Sequence, residues 1–522
     1  MWIFWPAVVT AFLASFSVGH KQVRIGCNDD ENVKRRGLTC RATGTDGTRL
    51  NLAEFTTKTE STLDATSIKG AAIEEFEWKE PREEAHPFTV GIVEYDDEGK
   101  AWNRSQIQHV KDLVTDTLKE DDALVVTFVH GWKNNCTTCN GNLACFREVL
   151  ALLSAVEHNI AIFSADKRPR RVIGVYVGWR GKTMRIPYAD SISAFSRKSA
   201  ADRVGGRTSE LTGFLSWLNE TRVNANRKVE DPEQRRPRHK SPFDTRLVLV
   251  GHSFGADVLF GAIAGHLSAQ LGASAADRAG LRAQPFGNLT VLVNPALEAS
   301  AYSEFNDNAR TGVFGVPELP LIVTVQAEND PVTHYVFPVE RALVSLGSST
   351  KSTQGYGAAL SAVGHYPDYY THTLREPKSA NAAAERTAAA ATERPASAMS
   401  CGCERLTATR KAHADLARSV NEALQQTPPT DRVHIGAPMK GLRSTLDLWP
   451  DGPGTRKTNP DSPLMLVRAT PEVVNQHSGI YQPQFFDFLA NLVVREQLLE
   501  DQKGDLRTLM SQTMERAATD LK

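Results

Sequence analysis

Arg246-Leu247-Val248-Leu249-Val250-Gly251-His252-Ser253-Phe254-Gly255 runs straight into Ala256-Asp257-Val258-Leu259-Phe260-Gly261-Ala262-Ile263. The opening apolar run suits a strand covered on both faces, and the apolar stretch beyond Gly255 suits a helix. Between them the chain must turn sharply. Glycines two residues before and two after Ser253 let backbone and helix approach without Cβ clashes. A serine in this turn is lifted above the sheet at the N-terminus of a helix, where free amides and the helix dipole favour developing negative charge. Ser253 is therefore the candidate nucleophile, with an inert serine in a glycine-rich turn as the alternative.

Working outward, short runs of Val, Ile and Leu recur at Phe88–Glu94, Ala123–Val129, Val172–Val177, Leu247–Val250, Thr290–Val293, Leu321–Val325 and Leu464–Val467. Helical periodicity fills the intervals at Ile107–Leu118, Phe146–His158, Glu210–Arg222 and Ala256–Leu271. Strand alternating with helix predicts a largely parallel sheet in a three-layer α/β domain. The strand–turn–helix around Ser253 resembles the nucleophile elbow of the α/β-hydrolase superfamily, and the resemblance extends over about residues 87 to 494. It implies an α/β-hydrolase fold: a mostly parallel central sheet, helices on both faces, and insertions before the last strand. The hydrolase domain is expected over 87–500.

The resemblance also implies where the partners of Ser253 lie. Two backbone N–H groups must face the tetrahedral oxyanion. One is that of Phe254, which follows the nucleophile. The other belongs to the loop after an earlier strand, here His130-Gly131-Trp132-Lys133, and Trp132 is expected to supply it, with Lys133 as the rival. His130 and His252 are expected to be structural. The chain order is serine, acid, histidine. Asp330 follows the run Leu321–Val325 in a turn stiffened by Pro331 and is the expected acid, with Glu328 and Glu298 as rivals. His477 follows the last apolar run and precedes an apolar segment from Phe485, and is the expected base, with His372 as its rival. Trp179, in Val177-Gly178-Trp179-Arg180-Gly181, is placed to line the substrate pocket or to pack in the core.

Ser253, Asp330, His477 and two amides specify acyl transfer through an acyl-enzyme. The expected activity is a serine hydrolase of esterase or lipase type, acting on a small-molecule or lipid-like carboxylic ester. The alternatives are an acyltransferase or peptidase on the same fold, or a non-catalytic ligand-binding homologue. No cofactor and no metal are expected, because no His-Glu-x-x-His pattern or equivalent cluster occurs. A net charge of −1 gives no global field for nucleic acid. The basic stretch Arg235 to Lys240 reads as a solvated loop.

The flanks are less informative. Residues 1–19 carry no charge and resemble a signal peptide lacking its positive start, or an N-terminal anchor associated with a membrane. The protein is accordingly expected to be exported: periplasmic, extracellular or membrane-anchored. Cys136, Cys139 and Cys145 suit a disulfide-stapled loop better than a zinc site. Residues 20–86 are polar and weakly patterned and read as an N-terminal extension. The alanine-rich stretch 376–400 has almost nothing to bury and is expected to be a mobile insert. Thr427 to Pro463 reads as a further excursion, and 501–522 as a charged C-terminal helix.

Overall fold

Seven apolar segments form the parallel centre of the protein, as a computed structural model describes it. The described residues are 55–60, 73–78, 87–132, 134–136, 140–162, 169–181, 190–230, 244–272, 285–311, 320–344, 353–376, 445–449, 462–482 and parts of 484–492. The stretches 1–19, 377–400 and 501–522, and the basic residues 235–240, lie outside them.

The strands are β1 (Phe55–Glu60), β2 (Ile73–Trp78), β3 (Phe88–Glu94), β4 (Ala123–Val129), β5 (Arg171–Gly178), β6 (Arg246–His252), β7 (Leu289–Val293), β8 (Ile322–Ala327), β9 (His372–Arg375), β10 (Thr445–Leu448) and β11 (Leu464–Ala469). They make one sheet in the order β1-β2-β3-β5-β4-β6-β7-β8-β11-β9-β10. Pairing is parallel from β3 through to β9 and antiparallel at both ends. Among the described residues the eight main helices are α1 (Arg104–Glu120), α2 (Gly141–Ile162), α3 (Asp190–Val204), α4 (Glu210–Glu230), α5 (Phe254–Gly272), α6 (Ala299–Thr311), α7 (Phe337–Val344) and α8 (Thr353–Leu360).

The central strands read as unbroken apolar runs because both faces are covered. On β4, Leu124, Val126 and Phe128 face a cluster with Phe146 and Leu150 of α2 and with Phe485 and Phe488. Ala123, Val125 and Val129 face the opposite cluster, with Val110 and Val114 of α1, Phe214 of α4 and Leu259 of α5. Each such large side chain contributes about 1.5–3 kcal/mol when fully buried. A buried pair fastens α2 to the start of β5, with Glu157 accepting from Arg170 at 2.8 Å through both oxygens.

Four strands and several helices were not evident from the sequence. The first two strands occupy part of the supposed extension 20–86. They form an antiparallel edge, where the sequence need not be continuously apolar. Strands β9 and β10 come from stretches read as rivals or excursions, and they extend the opposite edge beyond β11.

The sheet order positions the site. The chain passes from β3 to β4, returns to β5 between them, and then crosses to β6 on the other side of β4. The connections from β4 and β6 therefore leave in opposite directions, α2 on one face and α5 on the other. Such a switch leaves a crevice beyond the carboxyl ends of the two strands. Both Gly131 and Ser253 stand at that end, since Val129 of β4 pairs with Gly251 of β6.

Candidate active site

Ser253 sits between β6 and α5 with a φ of 57°. That left-handed conformation costs a non-glycine residue about 1–2 kcal/mol. It is held by the Ser253 N–H donating to Val293 O at 3.0 Å, and by Ser253 O accepting from Ala256 at 3.0 Å and Ala296 at 3.2 Å. Gly255 makes the turn feasible, because a Cβ there would lie 2.1 Å from Val129 O. The elbow is thus wedged against the end of β4.

The hydroxyl meets an imidazole. Ser253 Oγ lies 2.7 Å from His477 Nε2, and His477 Nδ1 lies 2.7 Å from Asp330 Oδ2. The geometry has the serine O–H donating to Nε2 and the Nδ1–H donating to the carboxylate. Ser253 and Asp330 are buried, and His477 is 15% exposed, so the imidazole is the member open to the surroundings.

Asp330 follows β8 and immediately precedes Pro331, the N-cap of the π-helical turn Val332–Val336. Its Oδ1 accepts from the Val332 N–H at 2.8 Å and the Thr333 N–H at 3.3 Å. Its Oδ2 also accepts from Thr333 Oγ1 at 2.7 Å and Gln326 Nε2 at 3.3 Å. Burial alone would raise its pKa, but the hydrogen bonds from His477, Thr333 and Val332 and the nearby imidazole outweigh burial. They hold the carboxyl well below the usual carboxylate range.

His477 follows β11 on a loop whose main chain is clamped. His477 O accepts from His252 Nε2 at 2.8 Å and from Asn294 Nδ2 at 2.9 Å. Asn294 Nδ2 also reaches Gln476 O at 3.1 Å, and its Oδ1 accepts from the Ala327 N–H at 2.8 Å. One asparagine after β7 therefore ties the histidine loop to the end of the acid's strand. Among the described residues, Ser253, Asn294 and Gln476 are the non-glycine residues with positive φ. All three are at this site, where strain is commonly concentrated.

The loop after β4 closes over the serine. A Cβ at Gly131 would stand 2.7 Å from Ser253 Cβ and 2.7 Å from His252 O, so only glycine fits. Trp132 is next in the chain, partly buried, and its carbonyl accepts from Asn134 Nδ2 at 3.0 Å. The Phe254 N–H opens α5, and no acceptor is found for it among the described residues. Lys133, the rival to Trp132, lies outside the described residues.

The remaining sequence candidates are elsewhere. His130 is buried, with Nδ1 2.9 Å from Gly131 O and Nε2 accepting from the Trp179 N–H at 3.1 Å. Burial lowers its pKa to about 4, so the ring is neutral and structural. Burial and the neighbouring His477 likewise lower that of His252 to about 3. Trp179 corrects the expectation of a pocket wall. It is 1% exposed, stacks on His130, and donates from Nε1 to His130 O at 2.7 Å. Its size and its indole N–H are used to brace the loop from the core side. Glu298 is bound to Lys198 at 3.3 Å and Arg341 at 2.9 Å. Glu328 pairs with Arg468 at 3.3 Å, and His372 is buried in β9 beside Thr371. Asn294, Thr333 and Gln326 were missed in the sequence. No motif marks them; the only signal was their place after or within late strands.

Among the described residues no cluster of histidine, cysteine, aspartate and glutamate could hold a metal ion, and no helix is long and apolar enough to cross a membrane. Cys145 is disulfide-bonded, whereas Cys136 Sγ donates to Glu94 Oε1 at 3.1 Å. Comparison of the chain with protein-family models, with curated proteins and with solved structures finds no match.

Proposed function

We propose that the protein is a serine hydrolase of the α/β-hydrolase type that cleaves a carboxylic ester through an acyl-enzyme. The observation that carries this reading is the unbroken chain Ser253 Oγ–His477 Nε2 and His477 Nδ1–Asp330 Oδ2, 2.7 Å at each step. It lies at the topological switch point, on a serine held at positive φ.

His477 takes the Ser253 proton as Oγ attacks the ester carbonyl carbon. The carbonyl oxygen gains the negative charge, facing the N–H groups of Phe254 and Trp132. His477, now an imidazolium stabilised by Asp330, returns the proton to the leaving alkoxide. The acyl group remains on Oγ. A water then gives its proton to His477 and attacks the acyl carbon, and Ser253 recovers its proton as the acid departs. Asp330 stays ionised throughout, in keeping with its depressed pKa. Trp132, partly buried beside the serine, favours ester substrates of some apolar character, while the Phe254 ring is buried in the core.

Turnover of p-nitrophenyl esters of increasing acyl length tests this directly. An initial burst of one p-nitrophenol per protein followed by slower turnover is expected for an acyl-enzyme, and both phases should be lost in Ser253→Ala. Equal turnover by Ser253→Ala would rule the reading out. A stoichiometric burst with no subsequent turnover would instead favour a transferase that waits for another acceptor.

We further read the chain as exported. The disulfide at Cys145 supports this, since such bonds persist in oxidising compartments. N-terminal sequencing of the protein from secreted and membrane fractions tests it; recovery of the reduced chain from the cytosol alone would oppose it.

A further inference from the structure

Asp330 Oδ2 receives donors from two sides. His477 Nδ1 is on one side at 2.7 Å and Thr333 Oγ1 on the other at 2.7 Å. Thr333 Oγ1 also lies 3.0 Å from His365 Nε2 and accepts from Gln326 Nε2 at 3.0 Å. A hydroxyl has one proton, and a carboxylate can only accept, so the Thr333 proton goes to Asp330. His365 Nε2 must then carry a hydrogen and donate to Thr333. In the neutral ring this leaves Nδ1 as an acceptor. That nitrogen is 3.3 Å from His334 Nδ1, and the two rings meet edge to face at 4.7 Å. His334 therefore donates to His365. Thr333 is buried, His365 half-buried and His334 exposed. A directional chain thus runs from solvent to the oxygen that orients His477.

Resting on the serine hydrolase reading, we propose that Thr333 and His365 are positioning residues for Asp330, and that a proton taken up at His334 weakens His477 as a base through this chain. The two donors converge on one carboxylate oxygen, so strengthening one withdraws charge from the other. A charged donor makes a stronger hydrogen bond than a neutral one, and successive bonds polarise each other. A cation at His334 pulls the His365 and Thr333 dipoles toward Asp330 and leaves less charge for the His477 Nδ1–H. It also opposes the imidazolium that forms when Ser253 is activated.

The groups facing His365 fix the sense of the response. They are His334 from the π-helical turn, Asp330 before it, Arg468 of β11 with its partner Glu328, and His477. Burial, then His334, Arg468 and His477, lower the His365 pKa against the pull of Asp330, to about 4. His365 is thus neutral near neutral pH and transmits a charge rather than holding it.

The test is the rate of labelling of the full chain by an alkyl fluorophosphonate between about pH 4.5 and 8. Wild type, Ser253→Ala, Thr333→Val, His365→Gln and His334→Gln are compared, with thermal unfolding of each. Wild type should lose labelling along an acid limb. The midpoint of that limb should be displaced in His334→Gln and His365→Gln, giving a change of about 3- to 10-fold in labelling on the limb. His334→Gln, at the surface, should retain its fold and its labelling at the alkaline end. Thr333→Val should lose about tenfold in rate at every pH and show the same displaced limb. Acid limbs of all three relay variants identical to that of wild type would overturn the proposal, even if their thermal stability fell. Absence of Ser253-dependent labelling in wild type would overturn the serine hydrolase reading itself, and the relay with it.

Discussion

On the β4–β6 side of the site, Gly131, Ser253 and Gly255 are brought together by main-chain geometry. On the β8–β11 side, Asp330 and His477 are 147 residues apart and are joined by side chains. The fit of the first side comes from two glycines and a strained serine, with His130 and Trp179 bracing the loop from the core. The second is a lattice of hydrogen bonds through Asn294, His252, Gln326 and Thr333. The two sides should therefore fail differently. A methyl group should break the first, and an isosteric change of one atom should break the second.

The largest effect is expected from such an isosteric change. Asp330→Asn keeps the shape of the acid but puts an amide where His477 needs an acceptor. The rate of ester turnover should fall by about 10⁴-fold with KM little changed. A loss of less than tenfold would mean that the carboxylate does not govern the His477 tautomer. On the opposite side, Gly131→Ala places a Cβ 2.7 Å from Ser253 Cβ. On the proposed mechanism, displacing the loop removes one backbone donor, so kcat should drop by about 10²–10³-fold. A fully active Gly131→Ala protein would show that this loop takes no part in the reaction.

Smaller effects probe what holds the lattice. Asn294→Ala leaves Gln476 O, His477 O and the Ala327 N–H short of a partner, at a position where φ is 45°. Loss of about 2–4 kcal/mol is expected in chemical denaturation. Denaturation within 0.5 kcal/mol of wild type would show that the clamp is not needed to hold the histidine loop.

The pH dependence of stability follows from the buried histidines around the site. His130, His252 and His365 have folded pKa values depressed to about 4, 3 and 4. Below an ordinary histidine value of about 6.5, the unfolded chain takes up protons that the folded one refuses. Stability should thus fall as pH drops from about 6.5 toward 4, each histidine contributing about 1.4 kcal/mol per pH unit. Asp330 acts later. Its folded pKa is depressed, so its contribution is present above the ordinary carboxylate range and is lost only below it. Denaturant midpoints at pH 7, 6 and 5 check the sequence, and His365→Gln should flatten the slope by one proton. A stability that does not change over this range would contradict the buried neutral histidines.

The same contrast explains how much was legible in the sequence. The β4–β6 side is local: strand, turn and helix are contiguous around Ser253, and continuous apolar runs announce strands buried on both faces. The parallel strands β3 to β8 and β11 were therefore readable, as were helices α1, α2, α4 and α5; α3, α6, α7 and α8 were not. Asp330 and His477 were placed by chain order relative to those strands, and the structure brings both to Ser253. The lattice around them was not readable. Asn294, Thr333 and His365 acquire their roles only when β7, β8, β11 and the short turn Val363–His365 converge, and nothing in their flanking residues signals it. Trp179 could not be assigned for a related reason: whether an aromatic after β5 lines a pocket or fills the core depends on where His130 points. The edge strands β1, β2 and β10 were hidden because a strand at an antiparallel edge has no need of an unbroken apolar run.

The most direct measurement is the mass and location of the adduct left by a fluorophosphonate. One adduct per chain is expected, mapped to the peptide containing Ser253, absent from Ser253→Ala and reduced by orders of magnitude in His477→Ala. Labelling at another residue, or equal labelling of His477→Ala, would contradict the assignment of Ser253 as a nucleophile activated by His477.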